Sequence, residues 1–258
     1  MRLRVLSLAS LLALVSLAAP ALFAQSGTFD VALQGKSVGS ASFRITPEEG
    51  AFRSITTVRV STKGIEYALS KTEQLSSTRA FRNADLSAVV NGQAVHLTAV
   101  PQDGQLALTI AANGRTTTSR LAAHEAAVLL PDFDPGALET LLALAAARNN
   151  RDLWVVIPRN AGSVEQVQLA TYADEKGTFD GKPIAVHHLI ATCGGATTDL
   201  FSGPAHQLLQ AELPQQGFAL VRKGFVLTPP AKPLAPPPGA DDAAPASSST
   251  TPTGPAAQ

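Results

Sequence analysis

The sequence predicts an α+β domain that is mainly β: a curved antiparallel sheet of about 11 strands, a half or incomplete barrel, wrapped around one central helix. Three observations lead there. Apolar and polar side chains alternate with period two over most of residues 25–227, Asn-Gly and Asp-Gly turns recur in the first half, and one Leu/Ala-rich segment interrupts the alternation midway.

The alternation begins with Phe29, Val31 and Leu33 against Asp30, Ala32 and Gln34. Gly35–Lys36 then turns the chain into a segment carrying Ala41, Phe43 and Ile45, and the pattern repeats through 52–60 and 65–75. Leu86, Ala88 and Val90 lead to Asn91–Gly92; Val95, Leu97 and Ala99 lead to Asp103–Gly104; Leu106, Leu108 and Ile110 lead to Asn113–Gly114, with 116–121 following. These dipeptides accept positive φ at both central positions of a type I′ turn, whose twist suits antiparallel neighbours. Three in succession specify an up-and-down meander.

After Leu129-Leu130-Pro131 the pattern changes. Asp134 is placed to cap a helix with Pro135 at its first position, running to Arg148. Leu138, Leu141, Leu142 and Ala145 form its apolar stripe, yet Ala143, Leu144, Ala146 and Ala147 make the remaining surface apolar or small as well. A helix without a strongly polar side is enclosed by other structure, and burying three or four of its leucines contributes on the order of 6–10 kcal/mol before entropic costs. Strands then resume: Leu153, Val155 and Ile157 oppose Trp154, and 166–172, 184–192, 197–201, 206–213 and 218–227 complete the set.

Neither end belongs to this domain. Residues 1–24 carry Arg2 and Arg4, an apolar run and small residues at Ala19, Ala21 and Ala24, the three regions of a secretory signal peptide. Its removal leaves no membrane span and points to a periplasmic or secreted protein. Removing Arg2 and Arg4 from 20 basic residues leaves 18 against 20 acidic ones, a nearly neutral chain with no field to gather phosphates, which excludes nucleic acid as a partner. The single folded domain spans 25–228. Residues 229–258 are Pro-, Ala-, Ser- and Thr-rich and cannot bury enough apolar surface to order themselves, so a disordered tail is expected.

The strand pair around Gly35-Lys-Ser-Val-Gly39, the meander, the inserted helix from Asp134 to Arg148 and the closing phrases Leu208-Leu-Gln-Ala-Glu-Leu-Pro and Gly217-Phe-Ala-Leu-Val-Arg222 give the chain a resemblance. It is similar to a group of uncharacterised periplasmic half-barrel proteins of unknown function. More remotely it resembles the lipoprotein carriers LolA and LolB, whose incomplete barrel wraps a central helix and holds acyl chains. The resemblance implies a concave apolar sheet. The N-terminal cysteine that anchors LolB-type receptors is missing, and Arg44, Arg53, Arg59 and Arg222 offer no clear counterpart to the lid-contacting arginine of LolA.

Catalytic machinery is not legible. Cys193 is the only cysteine and reads as a small buried hydrophobe; His187 and His188 are adjacent on a strand and point to opposite faces, so no metal site is expected. No Gly-x-Ser-x-Gly segment or phosphate loop occurs, and Asp132 and Asp134 read as turn former and helix cap. A non-enzymatic protein without a cofactor is therefore expected, binding a lipid or other apolar small molecule against Phe43, Leu97, Leu108, Leu138, Leu141, Leu142, Val155 and Ile190. The alternative is a scaffold or accessory domain of envelope biogenesis with a filled core, meeting an envelope protein through its sheet edge or tail.

Overall fold

The computed structural model describes residues 25–159 and 161–229. The expected signal peptide, and the expected tail from 230 onward, lie outside the described residues.

Eight strands open the fold: β1 (Gln25–Leu33), β2 (Lys36–Glu48), β3 (Ala51–Thr62), β4 (Ile65–Ser76), β5 (Phe81–Val90), β6 (Gln93–Gln102), β7 (Gln105–Ala112) and β8 (Arg115–Ala122). Each pairs antiparallel with the next. The expected turns form as the chemistry requires, with φ positive at Asn91 and Gly92, at Asp103 and Gly104, and at Asn113 and Gly114. The first hairpin turns at Gln34–Gly35, one residue earlier than expected, and the same positive-φ pair recurs there.

Next come β9 (Ala127–Leu129), the helix α1 (Pro135–Ala147), β10 (Leu153–Ile157), β11 (Ser163–Thr171), β12 (Glu175–Phe179), β13 (Lys182–Cys193), β14 (Ala196–Ser202), β15 (Leu208–Leu213), β16 (Phe218–Arg222) and β17 (Phe225–Leu227). The free side of β1 pairs with β16, and the sheet continues antiparallel through β15, β14, β13, β11 and β10. It ends on β9, which runs parallel to β10. The result is one large, open, curved and mixed sheet, with β8 and β9 as its edges. The start of β13 pairs instead with β12, to which β17 adds. This small flap buries Val186, Phe201, Leu209 and Phe225 on the side of the sheet away from the helix.

Two expectations are corrected. There are 17 strands, not about 11, and the sheet is mixed rather than wholly antiparallel. The alternating segments themselves number 14; β9 and β12 show no alternation and fall outside them, and Gly224 splits the last segment into β16 and β17.

The helix is enclosed, as its all-round apolar surface demands. Ten of its 13 residues are buried, and it packs against β2, β3, β9, β10 and β15, elements from both halves of the sheet. Gly136 permits the close approach: a Cβ there would lie 2.5 Å from Thr56 Oγ1 and 3.0 Å from Phe43 Cβ. Asp134 caps it, its Oδ1 accepting from the Ala137 amide at 2.9 Å.

That cap is also a long-range anchor. Asp134 Oδ1 accepts from the Thr56 hydroxyl at 3.0 Å, and Oδ2 lies 2.8 Å from Lys71 Nζ. Lys71 also pairs with Glu73 at 2.9 Å and donates to the Leu129 carbonyl at 3.3 Å. Lys71 and Glu73 are wholly buried. Burial alone would push the Lys71 ammonium down, but the Asp134 and Glu73 carboxylates outweigh it and hold the group protonated. Burial raises the Glu73 carboxyl above its ordinary range, only partly opposed by Lys71. On the opposite wall, Glu139 Oε2 accepts from the Leu208 amide at 2.7 Å.

Lys71→Met strips the counter-charge from two buried carboxylates and is expected to cost about 3–5 kcal/mol. The check is a fall in the urea midpoint at unchanged slope. Glu73 carries a pH signature. A carboxyl that is more readily protonated in the folded than in the unfolded chain contributes fully below the ordinary glutamate range and loses that contribution as pH rises through its folded value. Glu73→Gln keeps an acceptor for Lys71 and cannot ionise. Its urea midpoint is expected to exceed wild type at about pH 8 and to match it at about pH 4.

Candidate functional site

The concave side of the sheet is not filled evenly. A cavity of 160 Å³ lies between α1 and the second half of the sheet, with Leu138 and Leu141 of the helix facing Val155 on β10, Val167 on β11, Ala191 on β13 and Leu220 on β16. An apolar cleft of 460 Å³ covers the inner face of the meander, where Leu69, Leu86, Leu97 and Ile110 stand on β4 to β7. Strand parity produces both linings, since alternate residues of every strand face inward.

The two spaces share one wall, made of Leu130, Pro131, Asp132 and Arg159. This strap follows β9 and is held in three ways. The Leu130 amide donates to the Val156 carbonyl at 2.9 Å, extending the parallel β9–β10 ladder. Asp132 is hydrogen-bonded and ion-paired to Arg159, which holds the guanidinium above its ordinary value. Phe133 packs edge-on against both Tyr67 (5.9 Å between centroids) and Phe218 (4.8 Å). Burial, with the Asp132 and Asp134 carboxylates, pushes the Tyr67 phenol above its ordinary range, so it remains neutral.

The expected lining residues separate into groups. Leu138, Leu141 and Val155 line the cavity, and Leu97 lines the cleft. Leu142 faces a third space of 270 Å³ beyond the C-terminal end of the helix, beside His187 and His206. Leu108 is buried in the packed core, and Phe43 packs against Phe29 at 6.2 Å. Ile190 is the misplacement. Ala191 and Cys193 line the cavity, so strand alternation turns Ile190 to the other face, with His188.

Cys193 is half-buried against the apolar cavity, and burial, with the Glu165 charge, pushes its thiol up to about 11. His187 and His188 diverge as their adjacency requires: His187 Nδ1 meets Asp174 at 2.9 Å, while His188 stacks on Phe201 and meets Asp199 at 2.9 Å. Among the described residues no three His, Cys, Asp or Glu side chains converge as metal ligands. Trp154 is partly buried and stacks on His124 with centroids 3.7 Å apart. A depression of 710 Å³, which Phe43 also borders, is lined largely by exposed polar residues such as Ser26, Arg44 and Thr57, and it offers no apolar enclosure.

Sequence reasoning missed Lys71, Glu73, Glu139 and the Asp132–Arg159 clasp. Lys71 and Glu73 carry a readable signal, because they occupy the inward phase of a strand set by Tyr67, Leu69 and Leu75. No helix among the described residues is long and apolar enough to cross a membrane. No protein-family model matches the chain, and neither the curated proteins nor the solved structures give a match.

The lone cysteine makes the cavity directly observable. Alkylation of Cys193 by iodoacetamide is expected to be slow near neutrality and to keep rising with pH to about 11. A rate that levels off near the ordinary thiol value, about 8.5, places the thiol in water rather than in the cavity.

Proposed function

We propose that the chain is an exported, non-enzymatic protein of the periplasm or secreted space that binds an apolar ligand, a lipid or acyl chain, on its concave face. One observation carries this reading: the apolar cleft and the neighbouring cavity lie beside a largely buried helix, in space that core side chains leave unfilled. The cleft's 460 Å³ falls within the range of about 300–1,000 Å³ expected of small-molecule sites. Its lining of leucines, isoleucine, valine and alanine matches a hydrocarbon chain.

The test uses the delipidated mature chain and cis-parinaric acid, whose fluorescence rises on entering an apolar site. Saturable enhancement, displaced by palmitate, is the expected result. Leu97→Trp fills the cleft and should weaken binding by about tenfold or more, with circular dichroism showing that the sheet persists. No saturable enhancement, together with no lipid in solvent extracts of the purified protein, overturns the reading and favours the interaction scaffold with a filled core.

A further inference from the structure

Phe133 has a backbone that its side chain does not favour. Its φ is +57°, in the left-handed region, where a bulky residue is an outlier and glycine would sit without strain. Such a conformation persists only where its surroundings over-determine it, and here they do. On one side Asp134 is fixed by the Ala137 amide, Thr56 and Lys71. On the other Asp132 is fixed by Arg159 and Leu130 by Val156. Between these anchors the Phe133 ring is wedged edge-on against Tyr67 and Phe218.

The placement of the ring matters. Phe133 lines the 160 Å³ cavity, Tyr67 lines the 460 Å³ cleft, and the two rings touch across the wall that separates those spaces. Helix capping asks only for some apolar residue before the Asp134 cap, and an aliphatic one would serve. The fold therefore holds a strained ring at the partition between two apolar compartments.

We infer that the cleft and the cavity form one divided site for a single unbranched acyl chain, and that Phe133 is the residue that sets the chain length accepted. This rests on the apolar-ligand reading above and names its specificity determinant. The chain lies in the cleft along Leu69, Leu86 and Leu97, with its end stopped at the Tyr67–Phe133 contact. The cavity beyond, against Leu138 and Leu141, is reached only when the ring is removed. A chain too short to meet the partition gains affinity with each methylene; a longer one gains nothing further and leaves its excess in water.

The experiment compares saturated fatty acids of increasing length as competitors of cis-parinaric acid, on wild type, Phe133→Ala and Phe133→Gly. Wild type is expected to gain about fourfold in affinity per added methylene up to a limiting length and then to level off. In Phe133→Ala the gain continues past that length. Phe133→Gly suits the positive φ and removes the same ring, so it gives the same extension should the alanine variant fold poorly. Tyr67→Phe keeps the ring contact and should retain the wild-type limit. A wild type that binds the series with no limit, or ring-deleted variants that keep the wild-type limit, overturns the inference while leaving apolar binding intact. No binding of any fatty acid by wild type overturns the underlying reading itself.

Discussion

The carboxylate of Asp134 joins the local and the global structure in one side chain. Its Oδ1 accepts from the Ala137 amide and so starts the helix; the same oxygen accepts from Thr56 on β3, and Oδ2 meets Lys71 on β4. Five residues on, Glu139 takes the Leu208 amide of β15. Five residues correspond to about 140° of rotation around a helix axis, so the two carboxylates reach different walls of the curve. A single short helix thus ties together halves of a sheet whose own ladders, among the described residues, meet at β1 and β16.

Placing ions in an interior is an expensive way to hold a helix, and well-packed hydrophobes often do as well or better for stability alone. What the cluster adds is register. Ser54 and Thr56 stand opposite Glu73 and Lys71 across the β3–β4 ladder, and a slip of one residue in β4 would turn Lys71 and Glu73 out to solvent and Thr72 inward. Apolar residues on both phases would tolerate that slip; a lysine that must meet Asp134 does not. The same enclosure raises the Glu73 carboxyl: burial disfavours its charged form and the Asp134 charge adds to this, against the opposing pull of Lys71.

Much of this architecture was legible in the residues. Period-two alternation located most of the strands, the Asn-Gly and Asp-Gly pairs located their turns, and a helix apolar on every side implied its enclosure. Asp134 was readable as a cap because capping is local chemistry. Its second role was not, since Lys71 lies far away in sequence and only the fold brings them together. The strands β9, β12 and β17 were hidden because pairing, not pattern, makes them strands. β9 exists as the parallel partner of β10, and β17 as the partner of β12. Ile190 was assigned to the wrong face by hydrophobicity alone. In β13 both phases are apolar because the flap covers the second face, so alternation there distinguishes nothing.

An apolar helix is by itself no sign of a ligand, because any enclosed helix must be apolar. Room for the proposed hydrocarbon ligand comes instead from geometry. Thirteen residues make a helix only about 20 Å long, with a diameter near 10 Å, whereas neighbouring strands are spaced about 4.8 Å apart, so a sheet this wide presents more concave surface than one helix covers. The helix packs against β2, β3, β9, β10 and β15, and the inner face of β4 to β7 is met instead by the Leu130–Asp132 strap. Larger side chains on those strands could close the gap, but the positions beside Leu69, Leu86 and Leu97 include Ala88 and Ala112. Small residues on the inner phase of a meander, opposite a strap pinned to β10 and Arg159, leave the cleft open.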